Sequence, residues 1–179
     1  MTRLKYDPVL FESLLSKQKQ ITSNPEGLGI RLGNPNATHT IIKVCNPYCG
    51  PCAKAHPEIE KIIEENKEVS LQIFFTATNE EGDSRAQPVK HLMAIAESND
   101  SNLIKGALDD WYLAEKKDYQ IFSAKYPMNG ELEKQGGKLE AMDKWCKETG
   151  IEFTPTFFVD GYQLPAVYDI TDLNYFLKE

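Results

Sequence analysis

Long apolar segments are missing from this sequence. No apolar run among its 179 residues approaches the roughly 18 that a membrane-spanning helix needs. Charged residues, among them Arg3, Lys5 and Glu12, interrupt the N-terminus, so no secretory hydrophobic region is present there. The chain is therefore either cytoplasmic, or extracytoplasmic with its targeting segment or membrane portion outside this sequence. In both cases we expect no direct membrane insertion of the chain itself.

Positive charge is also scarce. The 20 Lys and Arg residues are outnumbered by 27 Asp and Glu residues, which gives a net charge of −7. No basic stripe interleaved with aromatic residues is visible, so we expect no nucleic-acid partner. The same charge balance argues against binding to an anionic membrane surface.

Cysteine is limited to four residues: Cys45, Cys49, Cys52 and Cys146. Four are too few for a disulfide framework, and 41% apolar residues can supply a core without one. Three of the four fall within eight consecutive residues. This crowding indicates chemistry rather than structural crosslinking.

Hydrophobic periodicity predicts an α/β order of elements: an N-terminal helix, strands around a central helix, a long helical block, and a C-terminal hairpin with a last helix. Asp7-Pro8 predicts the start of the N-terminal helix, and Asp160-Gly161 predicts the hairpin turn. Apolar stripes in the helical block are interpreted as core. The second stripe begins at Leu103, and Trp145 lies at the edge of the third. The predicted segments are a helix at 9–15, an extended piece at 29–32, a strand at 40–44, a helix at 50–66, a strand at 71–77, helices within 84–149 (one at 119–125), paired strands at 156–159 and 162–167, and a helix at 171–177.

The run Cys49-Gly50-Pro51-Cys52 lies between a β-branched strand and an amphipathic helix. Residues i and i+3 on the first helical turn lie close to the Cα separation that a disulfide requires. The apolar face of the helix includes Cys52, which we expect to be buried, and leaves Cys49 exposed at the helix N-terminus. Unpaired N–H groups there favour a thiolate, and Pro51 suits the first turn. We therefore predict thiol–disulfide exchange, with Cys49 attacking and Cys52 resolving the mixed disulfide.

Two other classes of function remain open. Cys45, Cys49, Cys52 and His56 together could bind zinc, and the three cysteines have a spacing used for iron–sulfur clusters. A redox-inert peptide-binding module is the second alternative. Considered alone, Cys45 is either a buried strand residue or a third redox thiol. Cys146 is interpreted as structural. His56 is expected on the helix surface.

Several runs give the chain a resemblance to the thioredoxin superfamily. Cys49-Gly50-Pro51-Cys52 matches thioredoxin, Pro57 matches the proline of its active-site helix, and Thr154-Pro155-Thr156 resembles its cis-proline strand. The lead-in 33–37 and the helical block resemble the DsbA-like branch. A closer likeness is to the thioredoxin-like domain fused to bacterial vitamin K epoxide reductase-type proteins.

The resemblance implies a thioredoxin fold, a central mixed sheet flanked by helices, with an inserted helical subdomain. The implied division is an N-terminal helix and loop at 1–32, the thioredoxin-fold domain at 33–83 and 150–179, and the insertion at 84–149. It also implies that the Thr154–Pro155 bond is cis and that both residues contact the substrate.

One departure from the family concerns proton transfer. A buried acid usually stands six residues before the first active-site cysteine, and here that position is Lys43. We expect Lys43 either to favour the thiolate or, in the preferred interpretation, to extend into solvent. Glu58 or Glu60 could replace the acid, but both are interpreted as surface charges.

The resemblance further implies protein thiols and disulfides as substrates, and a quinone-linked membrane reductase or oxidase as a partner. No cofactor is expected beyond the Cys49–Cys52 disulfide itself. An extracytoplasmic, periplasmic location is preferred, with the cytoplasm as the alternative. The direction of exchange stays open, because Gly50-Pro51 resembles the reducing members and the insertion the oxidising branch.

Overall fold

The helices and strands follow the predicted order along the chain. The computed structural model describes residues 2–177. Met1, Lys178 and Glu179, which belong to the predicted outer segments, lie outside the described residues. The helices are α1 (Thr2–Lys5), α2 (Pro8–Leu15), α3 (Gly50–Glu65), α4 (Ala86–Ala96), α5 (Ser101–Tyr112), α6 (Tyr119–Lys125) and α7 (Gly136–Thr149), with 3₁₀ turns at Glu131–Gln135 and Ile170–Tyr175. The strands are β1 (Ile30–Gly33), β2 (His39–Cys45), β3 (Val69–Phe75), β4 (Thr156–Val159) and β5 (Tyr162–Gln163).

The five strands of the described chain form one mixed sheet in the order β1-β3-β2-β4-β5. Strands β2 and β3 are parallel neighbours at its centre, and the other pairs are antiparallel. All seven residues of β3 are buried, as expected of a strand covered on both faces. This arrangement confirms the predicted central mixed sheet flanked by helices.

Helix starts are set by local side chains. Asp7 caps α2 by accepting from the N–H groups of Val9 and Leu10, with Pro8 in the first turn. Cys49 occupies the same position at α3, and its sulfur accepts from the N–H of Cys52. The start of the active-site helix is therefore built from its own cysteines.

The two faces of the sheet support separate cores. On one face, α3 packs over the sheet together with α4 and α5 of the helical block in a large apolar cluster. On the other face, α7 supplies Trp145, which packs edge-on against Phe74 at a ring-centroid distance of 4.2 Å. Trp145 was expected at the edge of a stripe but is buried, because its indole lies against this second face.

Three further local predictions need correction. The hairpin turns at Asp160 and Gly161, both with positive φ, but β5 ends at Gln163, short of the predicted 167. The last helix is a 3₁₀ turn at Ile170–Tyr175, capped by Asp169. Leu103 is exposed rather than part of the α5 core stripe.

The helical block at 84–149 contains α4 to α7. The domain boundaries drawn from the sequence stay a prediction. Among the described helices, none combines the length and the apolar character needed to cross a membrane.

Candidate active site

The reactive end of the sheet lies where β2 passes into α3. The Tyr48 N–H donates to the Asn46 side chain at 2.9 Å, and the Cys49 N–H donates to the Asn46 carbonyl at 3.1 Å. This tight turn ends the strand and starts the helix within four residues. It places Cys49 at the N-terminus of α3, where unpaired N–H groups favour a negative sulfur.

Cys49 and Cys52 occupy different environments on the first turn of α3. The Cys52 N–H donates to the sulfur of Cys49 at 3.2 Å. Cys52 is fully buried, as predicted, and both cysteines are free thiols in this structure. Cys49 is half-buried rather than exposed, because its sulfur lies 3.6 Å from the Thr154 carbonyl. One thiol is therefore accessible and the other is enclosed behind it.

The segment before β4 forms the wall opposite the cysteines. The Thr154–Pro155 peptide bond is cis. Pro155 also lines an open groove of roughly 840 Å³, together with Pro51 from the active-site helix and the aromatic residues Phe153 and Phe157. Phe153 is 58% exposed. The structure thus brings the two predicted substrate-contact residues, Thr154 and Pro155, next to the predicted catalytic pair.

Cys45 lies at the inner side of this site. It is fully buried at the end of β2, and its sulfur accepts a hydrogen bond from the Tyr112 hydroxyl at 3.1 Å. The Cys45 thiol also donates to the Phe74 carbonyl of β3 at 3.6 Å. Cys45 is therefore buried at the strand end, held between α5 and the backbone of β3.

Lys43 is buried, so the prediction that it extends into solvent is wrong. Only 1% of its surface is exposed. Its Nζ donates to the Cys52 carbonyl at 2.9 Å and lies 4.7 Å from the centre of the Tyr112 ring. Helix α5, which supplies Tyr112, covers the site and leaves the side chain no path to water.

The surroundings of Cys45 and Cys52 shift the pKa values of the two thiols in opposite directions. The hydrogen bond to Cys45, with burial, raises the pKa of Cys52 far above its usual range. Burial raises the pKa of Cys45, but the hydrogen bond from Cys52, the charge of Lys43 and the Tyr112 hydroxyl outweigh it and lower that pKa to about 7.

His56 and Glu60 also differ from the sequence prediction. Both were expected on the helix surface, yet both are buried against α5, and only Glu58 is exposed. The His56 Nε2 lies 2.8 Å from Asp109 and 3.3 Å from Glu60. Burial, together with the hydrogen bond and charge of Asp109, raises the pKa of Glu60 to about 7.

His56, the predicted fourth ligand of a zinc site with the three cysteines, points elsewhere. His56 faces two carboxylates rather than the three cysteines. Within residues 2–177, the group of side chains close enough to share an ion consists of His56, Glu60 and Asp109. Lys105 already places its ammonium within 3.6 Å of both carboxylates. His56 therefore does not join the three cysteines in a four-ligand set.

Comparison with known families agrees with this geometry. The family described as Thioredoxin matches residues 26–179, which is most of the chain. The chain belongs to the thioredoxin family. Family membership and the Cys49–Cys52 arrangement confirm the predicted class of enzyme, a thiol–disulfide oxidoreductase. No curated protein sequence matches the chain significantly.

Several solved structures share the fold of this thioredoxin-family chain. Oxidised BdbD from Bacillus subtilis has 13% identity and a TM-score of 0.66, covering 88% of this chain and 93% of its own. The catalytic domain of Proteus mirabilis ScsC has 16% identity and a TM-score of 0.65, with 96% and 94% covered. The thiol-disulfide exchange protein α-DsbA2 from Wolbachia pipientis has 14% identity and a TM-score of 0.60, with 97% and 93% covered.

Two residues of this thioredoxin-family site were predicted only as core. Tyr112 binds Cys45, and the Trp111 indole N–H donates to the Pro47 carbonyl at 2.7 Å. Both lie in α5, inside the helical block. Their indole and phenol groups, which need hydrogen-bond partners when buried, were the available signal. The sequence could not indicate which backbone or thiol they would reach.

Proposed function

We propose that this protein exchanges disulfides with protein substrates through Cys49 and Cys52. The observation that carries the proposal is the asymmetry of the pair. Cys49 is accessible at the start of α3 and its sulfur accepts the Cys52 N–H, while Cys52 is enclosed behind it. An accessible, polarised sulfur backed by a buried thiol is the arrangement that attack followed by resolution requires.

The reaction begins at Cys49. Its thiolate attacks a substrate disulfide, forms a mixed disulfide and releases one substrate thiolate. Cys52 then attacks Cys49 and releases the second substrate thiolate, leaving the Cys49–Cys52 disulfide. Run backwards, the same steps pass the disulfide to a substrate dithiol.

The groove beside Cys49 supports a polypeptide substrate. It extends from Pro51 along Pro155 and Phe157, and it is wide enough for several side chains. Phe153 presents most of its ring to solvent at this edge. An apolar side chain of an extended substrate peptide would cover this ring. The disulfide of the same peptide would then lie at the sulfur of Cys49.

Thiol alkylation followed by gel shift tests the proposed function. The wild-type protein should lose two alkylatable thiols on oxidation and regain them on reduction. Cys49→Ser should abolish this change, whereas Cys45→Ser should retain it. A protein whose thiol count is the same with and without oxidant would contradict the proposal.

Equilibration with glutathione assigns the direction of exchange. A potential near the roughly −270 mV of thioredoxin favours a reductase, and one near the roughly −120 mV of DsbA favours an oxidase. Isomerase activity is tested on a substrate with scrambled disulfides.

We also propose an extracytoplasmic location and recycling by a quinone-linked membrane partner. The DsbA-like fold supports this location, since disulfides persist outside the reducing cytoplasm. Alkylation of intact cells with a membrane-impermeant reagent tests it. Labelling of Cys49 only after lysis would place the protein in the cytoplasm instead.

A further inference from the structure

Lys43 is a cation enclosed in the protein interior. Only 1% of its surface is exposed. Its ammonium donates to the Cys52 carbonyl at 2.9 Å and lies 4.7 Å from the centre of the Tyr112 ring. A carbonyl oxygen and an aromatic face both favour the charged form of the amine. Strand β2 therefore places a positive charge beside the first turn of α3.

This charge has no acidic partner in the part of the chain that the structure describes. Glu60 of α3 and Asp109 of α5 form their salt bridges with His56 and Lys105 instead. Enclosing an unpaired charge destabilises a folded protein. An anion that forms near Lys43 during the reaction would offset this cost.

The sulfur of Cys49 lies close enough to respond to the charge of Lys43. The Cys52 nitrogen lies 3.2 Å from this sulfur, and the Cys52 carbonyl accepts the hydrogen bond of Lys43. Only the backbone of Cys52 separates the two contacts, so the ammonium and the Cys49 sulfur are at most roughly 10 Å apart. At an effective dielectric constant of about 20, a unit charge at this distance changes an equilibrium constant about tenfold.

We propose that Lys43 is a positioning residue whose charge raises the reduction potential of the Cys49–Cys52 pair. The reduced pair carries a thiolate at Cys49, whereas the disulfide carries no charge, so the ammonium stabilises the reduced state selectively. This inference rests on the proposed function, because it concerns which state of that pair is favoured. It makes the protein a stronger oxidant of substrate dithiols than the same fold without Lys43.

The charge on Cys49 appears when the disulfide is passed to a substrate. Two electrons from a substrate dithiol break the Cys49–Cys52 bond, and the two substrate sulfurs form the new disulfide. One of the two substrate protons ends on Cys52 and the other is released to water, which leaves Cys49 as the thiolate. Lys43 lowers the free energy of this thiolate product and leaves that of the neutral disulfide unchanged.

Equilibration with reduced and oxidised glutathione measures the potential of the protein. In Lys43→Met the equilibrium constant should shift about tenfold toward the Cys49–Cys52 disulfide, which corresponds to a potential about 30 mV more negative than that of wild type. Methionine fills similar space, and replacing a buried charge by an apolar side chain is compatible with folding. Lys61→Met, an exposed change on α3, should retain the wild-type potential.

Two further measurements separate the charge from the structure. Lys43→Gln retains an N–H donor for the Cys52 carbonyl but has no charge, so it should shift the potential in the same direction as Lys43→Met. Urea unfolding of oxidised and reduced protein supplies the second measurement. Lys43→Met should stabilise the oxidised form more than the reduced form, because the ammonium faces a thiolate in the reduced form alone. Either Lys43 variant tests the inference if the other does not fold.

The possible failures are distinguishable. A wild-type potential in the Lys43 variants, or a shift to a less negative value, overturns the role of Lys43 and leaves the proposed function intact. A shift in Lys43→Met that is absent from Lys43→Gln would assign the effect to the hydrogen bond, and this result also overturns the inference. Wild-type protein in which no glutathione ratio produces a Cys49–Cys52 disulfide overturns both proposals.

Discussion

The imidazole of His56 lies 2.8 Å from the Asp109 carboxylate and joins the active-site helix to α5 of the helical block. Glu60, one turn further along α3, shares this contact and is also buried. The Lys105 ammonium lies between the carboxylates of Glu60 and Asp109. The two helices are thus held together by a group of ionisable side chains, and protonation of these side chains makes their packing dependent on pH.

Glu60 should make the protein less stable as pH increases from about 4.5 to 7. Burial, then the hydrogen bond and charge of Asp109, raises its pKa to about 7 in the folded protein. Between the unfolded and folded pKa values the folded state binds more protons, so its stability falls with increasing pH. Glu60→Gln should remove this fall. Urea unfolding at pH 5 and pH 7 measures it.

The exposed Glu58 on the same helix offers a matched control. Glu58→Gln should leave the pH dependence of the unfolding midpoint as in wild type. His56, whose pKa is lowered by burial, contributes in the opposite sense and is present in every variant. An equal pH dependence in wild type and Glu60→Gln would contradict the prediction.

Lys43→Met should raise the pKa of Cys45. The buried ammonium is one of the groups that favour the Cys45 thiolate, and methionine fills similar space without charge. Thiolate absorbance in a Cys49→Ser background reports the titration, since Cys52 and Cys146 stay protonated near neutral pH. Lys61→Met, an exposed change on α3, is the control. An unchanged titration midpoint in Lys43→Met would show that its charge does not act on Cys45.

Trp111→Phe should both destabilise the protein and alter the reactivity of Cys49. The variant leaves the buried Pro47 carbonyl unpaired, at a cost of about 1–3 kcal/mol, and loosens the turn before Cys49. Urea unfolding and the rate of Cys49 alkylation measure the two effects. Trp145→Phe removes a similar bond, to the Ser23 carbonyl, on the other face of the sheet. We expect it to lower stability alone, and equal changes in alkylation for both variants would refute the link through Pro47.

Phe153→Ser should weaken the binding of polypeptide substrates without affecting small substrates. The ring is exposed at the edge of the groove, so its loss changes little in the folded core. The KM for a disulfide-containing peptide should increase several-fold, while the rate with a small dithiol should stay the same. Ile121→Ser, a change of another exposed apolar residue on α6, should affect neither. A peptide KM unaffected by Phe153→Ser would remove the groove from substrate binding.

Local patterns determined much of this protein from the sequence alone. The Cys49-Gly50-Pro51-Cys52 spacing, the helix starts at Asp7 and Cys49, and the hairpin turn at Asp160-Gly161 depend on backbone geometry within a few residues. These contacts form wherever the segment forms, so the sequence predicts them directly. The catalytic pair and the burial of Cys52 follow from the same short-range rules.

Only the tertiary structure decided what surrounds those cysteines. Tyr112 reaches Cys45 across 67 positions of sequence, and Asp109 reaches His56 across 53. Lys43 and His56 have polar side chains, which are expected in solvent when only the sequence is known. Helix α5 encloses both of them, because its apolar face packs over α3. Partners that meet through the packing of distant segments leave no local pattern. The sequence therefore predicted the reacting thiols, and the fold determined which groups lie around them.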